Sequence, residues 1–243
     1  MLQAKCEGDG MLYMVSTPIG NLKDITLRAL EVLQGVNTIL AEDTRRAGIL
    51  LKHYGIKKPV LSFHDHNKVF RTKKVLSLLK DGKECALISE AGTPGISDPG
   101  FYLIRACVDR GLPFTVLPGP SAVINALVLS GLPTDTFYFA GFLSPKKGKR
   151  RRQLEELSQL ATTLIFFESP HRIVETLEDI KDYFGEKRIA LVREMTKVYE
   201  EVVRGKPTEV LDTVKGATLK GEFTIVIDSR RKQSRYSTDR LSR

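Results

Sequence analysis

Three segments rich in glycine and proline each follow a predicted β-strand. They are STPIGN at 16–21, SEAGTPGISDPG at 89–100 and LPGPSA at 117–122. Ligands of open α/β sheets bind outside the carboxyl ends of the strands, so we expect the three segments to converge on one crevice. Glycine lets backbone groups approach a ligand closely, and proline holds a loop in shape before binding. Each segment alone would be an ordinary turn, but three at one sheet edge favour a ligand site.

The sequence patterns of these segments argue against a ligand that carries phosphates. They match neither the GxGxxG fingerprint of dinucleotide sites nor the GxxxxGK[ST] pattern of P-loops, and STPIGN has a single glycine. A cofactor with a pyrophosphate is therefore disfavoured. A ligand that combines an adenine, a ribose and a zwitterionic amino acid is compatible with loops of this kind.

The segment AEDTR at 41–45 offers carboxylates that could act as a general base. It places Glu42 and Asp43 beside Arg45 and Arg46 just after a predicted strand, and these two cations could bind phosphate. A base positioned next to a weak nucleophile accelerates its reaction by about 10²- to 10⁴-fold. Asp43 could equally cap the next helix, so the base stays open. The other candidates are Glu90, His64, His66, Glu200 and Glu201.

The imidazoles of FHDHN at 63–67 could form a pair of metal ligands. No third ligand at suitable spacing accompanies them. The three cysteines are widely spaced and odd in number, so they offer neither a disulfide framework nor a zinc CxxC pair. No metal is predicted.

Short apolar runs alternate with longer amphipathic ones along the chain, which is typical of β/α units and a largely parallel sheet. The predicted strands are 11–16, 36–41, 59–62, 85–89, 114–117, 136–140, 163–168, 189–194, 198–204 and 222–228. The predicted helices are 25–35, 45–54, 68–80, 100–110, 121–130, 150–160 and 171–183.

The PGP tripeptide at 118–120 interrupts this pattern, because two prolines around a glycine continue neither a strand nor a helix. We therefore predict two α/β domains, an N-terminal one at 11–118 with a mostly parallel sheet and a C-terminal one at 119–228 with a mixed sheet. Residues 1–10 form an N-terminal extension, and residues 229–243 form a basic tail that we expect to be disordered.

The bulk composition indicates a globular cytoplasmic protein. The chain has 243 residues, of which 42% are hydrophobic and 28% charged. No apolar run approaches the roughly 20 residues of a membrane helix, and the charged opening MLQAKCEGDG does not resemble a signal peptide. We predict no membrane association.

Positive charge is concentrated in two stretches. KKGKRRR at 146–152 has six positive residues, and 229–243 has a net charge of +5. Because the whole chain carries +9, the remainder is slightly acidic. We interpret the first stretch as a basic loop that contacts a polyanion, as the tail also would.

Six ordered motifs give this chain a specific resemblance to a known family. They are STPIGNLKDITLRAL, AEDTR, SEAGTPGISDPG, PGPSA, FFESPHR and GEFTIVI, and together they span about residues 11–228. The chain closely resembles the ribosomal RNA small subunit methyltransferase I family, which is part of the tetrapyrrole methylase superfamily.

The resemblance implies 2'-O-methyl transfer from S-adenosyl-L-methionine to the ribose of a cytidine in the decoding centre of 16S rRNA. It also implies a homodimer that binds the cofactor between its two domains. The catalytic candidates are Asp43, Glu42 and Glu90. The implied cofactor-binding residues are Pro18, Gly20, Glu90, Ala91, Gly92, Thr93, Pro94, Gly119, Pro120, Ser121, Ala122, Phe167, Glu168, Met195, Gly221, Glu222, Phe223 and Thr224.

Contacts to 16S rRNA in the small ribosomal subunit are expected from the cationic side chains near these motifs. The candidates are Arg45, Lys146, Lys147, Lys149, Arg150, Arg151, Arg152 and Arg172.

Other functions remain open. The chain could be a small-molecule methyltransferase of the same superfamily. Such an enzyme acts on an anionic tetrapyrrole, such as a precorrin or uroporphyrinogen, and would also use basic residues. A diphthine synthase-like enzyme, which modifies a protein, is a further alternative. A noncatalytic RNA-binding assembly factor would keep the fold but would not bind the methyl donor.

Overall fold

A computed structural model of the protein describes residues 8–216 and 219–230. The chain divides into two compact units with the boundary after Ala122, whereas the sequence placed the junction after residue 118. The predicted extension lies outside the described residues up to residue 7, and the predicted tail lies outside them beyond Arg230.

Unit 1 is a parallel sheet with helices in the connections. Its strands are β1 (Leu12–Val15), β2 (Thr38–Ala41), β3 (Val60–Ser62), β4 (Cys85–Ile88) and β5 (Phe114–Leu117). Its helices are α1 (Leu27–Gly35), α2 (Thr44–His53), α3 (Lys68–Lys80) and α4 (Gly100–Val108). The strand order is β3-β2-β4-β1-β5, and all described pairs are parallel. The carboxyl ends of all five strands therefore lie at one edge.

Helices cover both faces of this sheet, so its central strands are almost continuously apolar. Leu33 of α1 and Leu50 of α2 pack in one core cluster. Leu79 of α3 and Leu103 of α4 pack in the other. Helices α3 and α4 are thus neighbours on the same face of the sheet.

Unit 2 contains a mixed sheet. Its strands are β6 (Phe137–Phe142), β7 (Thr163–Glu168), β8 (Ile189–Arg193), β9 (Glu201–Gly205) and β10 (Phe223–Asp228). Its helices are α5 (Ala122–Ser130), α6 (Lys147–Ser158), α7 (Ile173–Phe184) and α8 (Pro207–Val214). In the order β6-β7-β10-β8-β9, only the β6–β7 pair is parallel among the described residues. The predicted fold class, one mostly parallel and one mixed α/β sheet, is confirmed.

Two elements of unit 2 differ from the sequence prediction. Helix α6 already begins at Lys147, so the predicted basic loop is largely the first turns of a helix. Helix α8 was not predicted, although its start carries two recognisable signals. Pro207 occupies the first turn, and the carboxylate of Glu209 accepts from the backbone N–H of Lys206 at 2.8 Å.

No helix in the described ranges has both the length and the apolar character that crossing a membrane requires.

Candidate functional site at the carboxyl edge of the parallel sheet

The loops that follow β1 and β4 are joined by a short backbone bridge. The N–H of Thr17 donates to the carbonyl of Gly92 at 2.9 Å, and the N–H of Gly92 donates back at 3.0 Å. The hydroxyl of Thr17 also donates to the carbonyl of Ser89 at 3.1 Å. Gly92 has φ of +81°, a conformation that glycine adopts without the steric penalty of a side chain.

Ser16 connects the loop after β5 to the other two. Its hydroxyl donates to the carbonyl of Leu117 at 3.0 Å and lies 3.0 Å from the hydroxyl of Thr93. A Cβ on Gly119 would lie 2.7 Å from the Cβ of Ser16, so only glycine fits there without a shift. The three segments meet at this edge of unit 1, as predicted. The first two segments also contribute to the described lining of a cavity beside them, whereas 117–122 does not.

Gly119→Ala is expected to loosen this junction. The new methyl group must displace Ser16 or the backbone of the β5 loop, and forced packing of this kind usually lowers the free energy of unfolding by about 1–3 kcal/mol. Urea denaturation measures the change. Gly148→Ala in α6 is the matched control, because a Cβ there has no atom within 4 Å and alanine favours a helix. Equal stability of Gly119→Ala and the wild type would contradict the proposed junction.

A cavity of about 210 Å³ opens beside the junction. Its lining includes Pro18 from the β1 loop, Glu42 and Asp43 after β2, Arg46 of α2, and Glu90 after β4. Three neighbouring strands and one helix therefore supply the polar groups of a single concave site. This agrees with the location expected for ligands of parallel sheets.

Asp43 caps the N-terminus of α2. Its carboxylate accepts from the backbone N–H of Arg45 at 2.8 Å and of Arg46 at 3.4 Å. The hydrogen bond from the Arg45 backbone holds the pKa of Asp43 below its ordinary value. A carboxylate that is stabilised in its charged form is a weaker base, so the cap competes with the predicted catalytic role.

Glu42 has the opposite electrostatic environment. Desolvation by burial raises the pKa of its carboxyl group, and the nearby carboxylates of Glu90, Asp98 and Asp65 raise it further. Of the adjacent carboxylates Glu42 and Asp43, Glu42 is therefore the stronger base and the better candidate for a general base.

An ion pair lies at the cavity beside Glu42. The guanidinium of Arg46 contacts the carboxylate of Glu90 at 2.6 Å, and both side chains are partly exposed. Arg45 lies further out, is 91% exposed, and contacts Asp43 at 3.4 Å. Both arginines are accessible to an anion of a bound substrate.

The histidines of the FHDHN segment serve the connection between β3 and α3. The amide nitrogen of Asn67 lies 3.0 Å from Nε2 of His64, and the backbone N–H of His64 donates to Asn67 at 2.9 Å. The rings of His64 and His66 lie edge to face with centroids 5.9 Å apart. His64 thus shapes the segment that leads into α3.

Glu194 supports the Gly221 turn in unit 2. The carboxylate of Glu194 accepts from the N–H of Glu222 at 3.0 Å and from Lys197 at 2.8 Å. Burial alone would raise its pKa, but these donors lower it overall. A Cβ on Gly221, which has φ of +96°, would overlap this carboxylate. The predicted residue Met195 follows directly and is buried.

The other cofactor candidates of unit 2 have buried or aromatic surroundings. Phe167 packs against Phe139 with ring centroids 4.9 Å apart. Phe223 and Thr224 are buried in the middle of the sheet. Glu168 is only 3% exposed, and its carboxylate accepts from the backbone N–H of Ser169, the hydroxyl of Thr176 and the guanidinium of Arg172. Its side chain therefore holds the start of α7 and orients Arg172.

The prediction that Arg150 contacts RNA is wrong. Its side chain is 1% exposed and donates to Asp179 at 2.7 Å and to Glu175 at 3.2 Å. Arg150 and Leu154 lie one turn apart on the buried face of α6, and the sequence alone does not reveal that acidic residues of α7 meet this face.

Arg151 is also engaged in ion pairs, with Asp179 at 2.9 Å and with Asp182 at 3.0 Å. Lys146, Lys147, Lys149 and Arg152 are exposed, although Arg152 contacts Glu156 at 3.3 Å. The free positive charge of this segment is therefore smaller than its sequence suggests.

The donor set at the cavity fits S-adenosyl-L-methionine. The carboxylate of Glu90 and the backbone groups of the joined loops suit ribose hydroxyl and ammonium groups, and among the described lining residues Arg46 is the single cation. Ser16 and Thr17 were not among the predicted site residues. Both lie inside the STPIGN motif, so the motif pointed to their neighbourhood.

The chain is similar to known proteins in both sequence and fold. The family model of Tetrapyrrole (Corrin/Porphyrin) Methylases matches residues 11–211. A uroporphyrin-III-C-methyltransferase from Thermus thermophilus shares the fold with a TM-score of 0.63 and 21% identity, covering 90% of this chain and 95% of its own. A cobalt precorrin-4 methyltransferase gives the same TM-score at 17% identity, with 89% and 94% covered.

Relatives with higher identity carry another name. The ribosomal RNA small subunit methyltransferase I of Thermotoga maritima is 46% identical over 221 residues, which cover 91% of this chain and 99% of that protein. The protein of the same name from Escherichia coli O157:H7 is 45% identical over 234 residues, covering 95% and 82%. The chain therefore belongs to the tetrapyrrole methylase family and, within it, to the ribosomal RNA small subunit methyltransferase I group.

Proposed function

We propose that this protein transfers a methyl group from S-adenosyl-L-methionine to the 2'-hydroxyl of a cytidine ribose in the decoding centre of 16S rRNA. The names of the relatives support ribosomal RNA as the substrate class. One structural observation carries the assignment of chemistry: a carboxyl group with a raised pKa, Glu42, lines a cavity together with the loops that follow β1 and β4.

The sulfonium of the bound cofactor supplies an already activated methyl group, so the protein's main task is alignment. The joined loops at Thr17, Gly92 and Ser16 hold the binding edge in shape before the substrate arrives. Holding two reactants in line in this way lowers the activation barrier by roughly 7–11 kcal/mol. Glu42 accepts the proton of the 2'-hydroxyl as the oxygen attacks, and Arg46 and Arg45 face the phosphates of the substrate.

The proposed cofactor contacts in unit 1 come from the three loops. They are Pro18, Gly20, Glu90, Ala91, Gly92, Thr93, Pro94, Gly119, Pro120, Ser121 and Ala122. Pro18 and Glu90 line the cavity itself. The proposal includes a cytoplasmic location and a homodimer, as the family resemblance implies.

A tritiated-methyl transfer assay tests the proposal. Purified protein is incubated with labelled S-adenosyl-L-methionine and, in separate reactions, with small ribosomal subunits, free 16S rRNA or uroporphyrinogen. We expect label in 16S rRNA, and nucleoside analysis is expected to identify 2'-O-methylcytidine. Label in uroporphyrinogen alone would replace this proposal by the tetrapyrrole function that the structural relatives carry in their names.

Calorimetry with S-adenosyl-L-methionine separates an enzyme from a noncatalytic assembly factor. Saturable binding to the purified protein is expected. Binding of RNA without any binding of the cofactor would favour the assembly factor and would contradict the enzymatic proposal.

A further inference from the structure

Among the helices of unit 1, α3 carries the largest excess of positive over negative side chains. Its sequence KVFRTKKVLSLLK contains five lysine or arginine residues and no aspartate or glutamate. Lys73 and Lys74 are exposed on the side away from the core, while Val75 and Leu76 are buried.

Exposed aromatic side chains accompany this charge. Phe70 of α3 is 70% exposed, and Phe101 at the start of α4 is 65% exposed. The guanidinium of Arg71 lies 6.0 Å from the centre of the Phe70 ring, and the ammonium of Lys68 lies 5.8 Å from that of the Tyr102 ring. The second contact joins the starts of α3 and α4 into one surface, which we call the α3–α4 patch (Lys68, Phe70, Arg71, Lys73, Lys74, Phe101 and Tyr102).

The starts of α3 and α4 lie at the carboxyl edge of the sheet, because each helix follows the carboxyl end of its strand, β3 or β4. The cavity opens at the same edge. Just before α4, Asp98 accepts from the backbone N–H groups of Gly95 and Gly100 at 2.8 and 2.7 Å. These bonds fix the turn that presents Phe101 next to the loop of Glu90.

We propose that the α3–α4 patch binds a single-stranded segment of the RNA substrate, with bases stacked on Phe101 and Phe70 and phosphates contacted by the lysines. This inference rests on the proposed function for the identity of the polymer. Single-stranded nucleic acids are held by this combination, because every base has a π-face and every linkage a negative charge. A second copy of the chain fits less well, since the same patch on two protomers would bring positive α3 helices together.

Fluorescence anisotropy with a fluorescein-labelled single-stranded RNA of roughly 20 nucleotides of mixed sequence tests the inference. Phe101→Ala is expected to weaken binding by about 5- to 150-fold, the range measured for loss of one stacking partner. Lys73→Ala/Lys74→Ala is expected to reduce the slope of log K against log salt by about 1.4, because two single-strand phosphate contacts are lost.

Each variant has a matched control in the same unit. Val108→Ala removes an exposed apolar side chain at the other end of α4, and Lys57→Ala/Lys58→Ala removes two charges before β3, at the opposite edge of the sheet. Both controls are expected to bind like the wild type. Equal losses in variants and controls, or no binding of the RNA by the wild type, would overturn the inference.

Two further measurements distinguish RNA binding by the patch from a dimer interface and from the proposed function itself. A changed oligomeric state of Phe101→Ala in size-exclusion chromatography, with RNA affinity retained, would assign the patch to a second copy and reject the RNA. Methyl transfer to 16S rRNA that is unaffected in both patch variants would reject the inference and keep the proposed function. Patch-dependent RNA binding without methyl transfer to any rRNA would keep the inference and reject the proposed function.

Discussion

Glu42→Gln is expected to lower kcat for methyl transfer by about 10²- to 10⁴-fold, the contribution of a positioned general base. The glutamine keeps the shape of the side chain but cannot accept the proton of the 2'-hydroxyl. Affinity for S-adenosyl-L-methionine is expected to change little, because Glu42 acts on the nucleophile. Single-turnover assays on the proposed rRNA substrate, together with calorimetry of the cofactor, measure the two quantities separately.

The pH dependence of the wild-type enzyme provides a second readout for Glu42. Desolvation and the neighbouring Glu90 raise the pKa of Glu42, so the group stays protonated to a higher pH than an ordinary carboxyl. The rate is expected to fall as pH decreases through this raised pKa, and the variant is expected to lack this acid limb.

The raised pKa of Glu42 also affects the stability of the folded protein. A carboxyl group whose pKa is raised by folding contributes stability below its unfolded-state pKa, and this contribution disappears as pH rises through the folded-state value. Glu42→Gln is therefore expected to unfold at the same temperature as the wild type or a higher one at neutral pH. Lower activity with retained stability distinguishes a catalytic role from damage to the fold.

Two other variants control the assignment of the base. Asp43→Asn keeps a side chain that caps helices well, so it is expected to lose far less activity than Glu42→Gln. Glu31→Gln changes an exposed carboxylate of α1 and is expected to behave like the wild type. If Asp43→Asn lost more activity than Glu42→Gln, the base would have to be reassigned to Asp43.

Arg150→Ala is expected to lower the free energy of unfolding by about 3–5 kcal/mol. The arginine is 1% exposed and its partner Asp179 is 4% exposed, so the substitution leaves a buried carboxylate without its main counter-charge. Chemical denaturation followed by circular dichroism measures the loss. A loss of this size is a large part of the stability of an ordinary domain.

Arg152→Ala is the matched control for Arg150→Ala. It removes the same side chain two positions along α6, where the arginine is 81% exposed and contacts Glu156. Exposed ion pairs contribute little, so its unfolding curve is expected to match that of the wild type.

Arg150→Met/Asp179→Leu is expected to recover much of the stability that Arg150→Ala loses, because replacing both charged residues leaves no unpaired charge in the core. Equal stability of Arg150→Ala and Arg152→Ala would show that the buried pair has no structural role.

The sequence determined the larger elements of this protein. Buried parallel strands are continuous apolar runs, as in CALI at 85–88, and they are separated by amphipathic helices, so their order is visible without a structure. Glycine and proline after three strands marked the ligand edge, because a few residue types satisfy the backbone conformations required there. The position of Glu42 and Asp43 just after β2 followed from the apolar run that predicts this strand.

Tertiary structure decided what each charged side chain does. Arg150 and Arg152 are the same residue type within one segment, yet one is buried against α7 and the other is exposed. Glu42 and Asp43 are adjacent, yet their pKa values shift in opposite directions, because burial raises one and the N–H groups of α2 lower the other. The aromatic and basic residues of α3 and α4 come from separate parts of the chain, and packing on one sheet face brings them together. Local pattern specifies the backbone, whereas solvation and ion pairing depend on residues that are distant in sequence, and only the folded chain defines them.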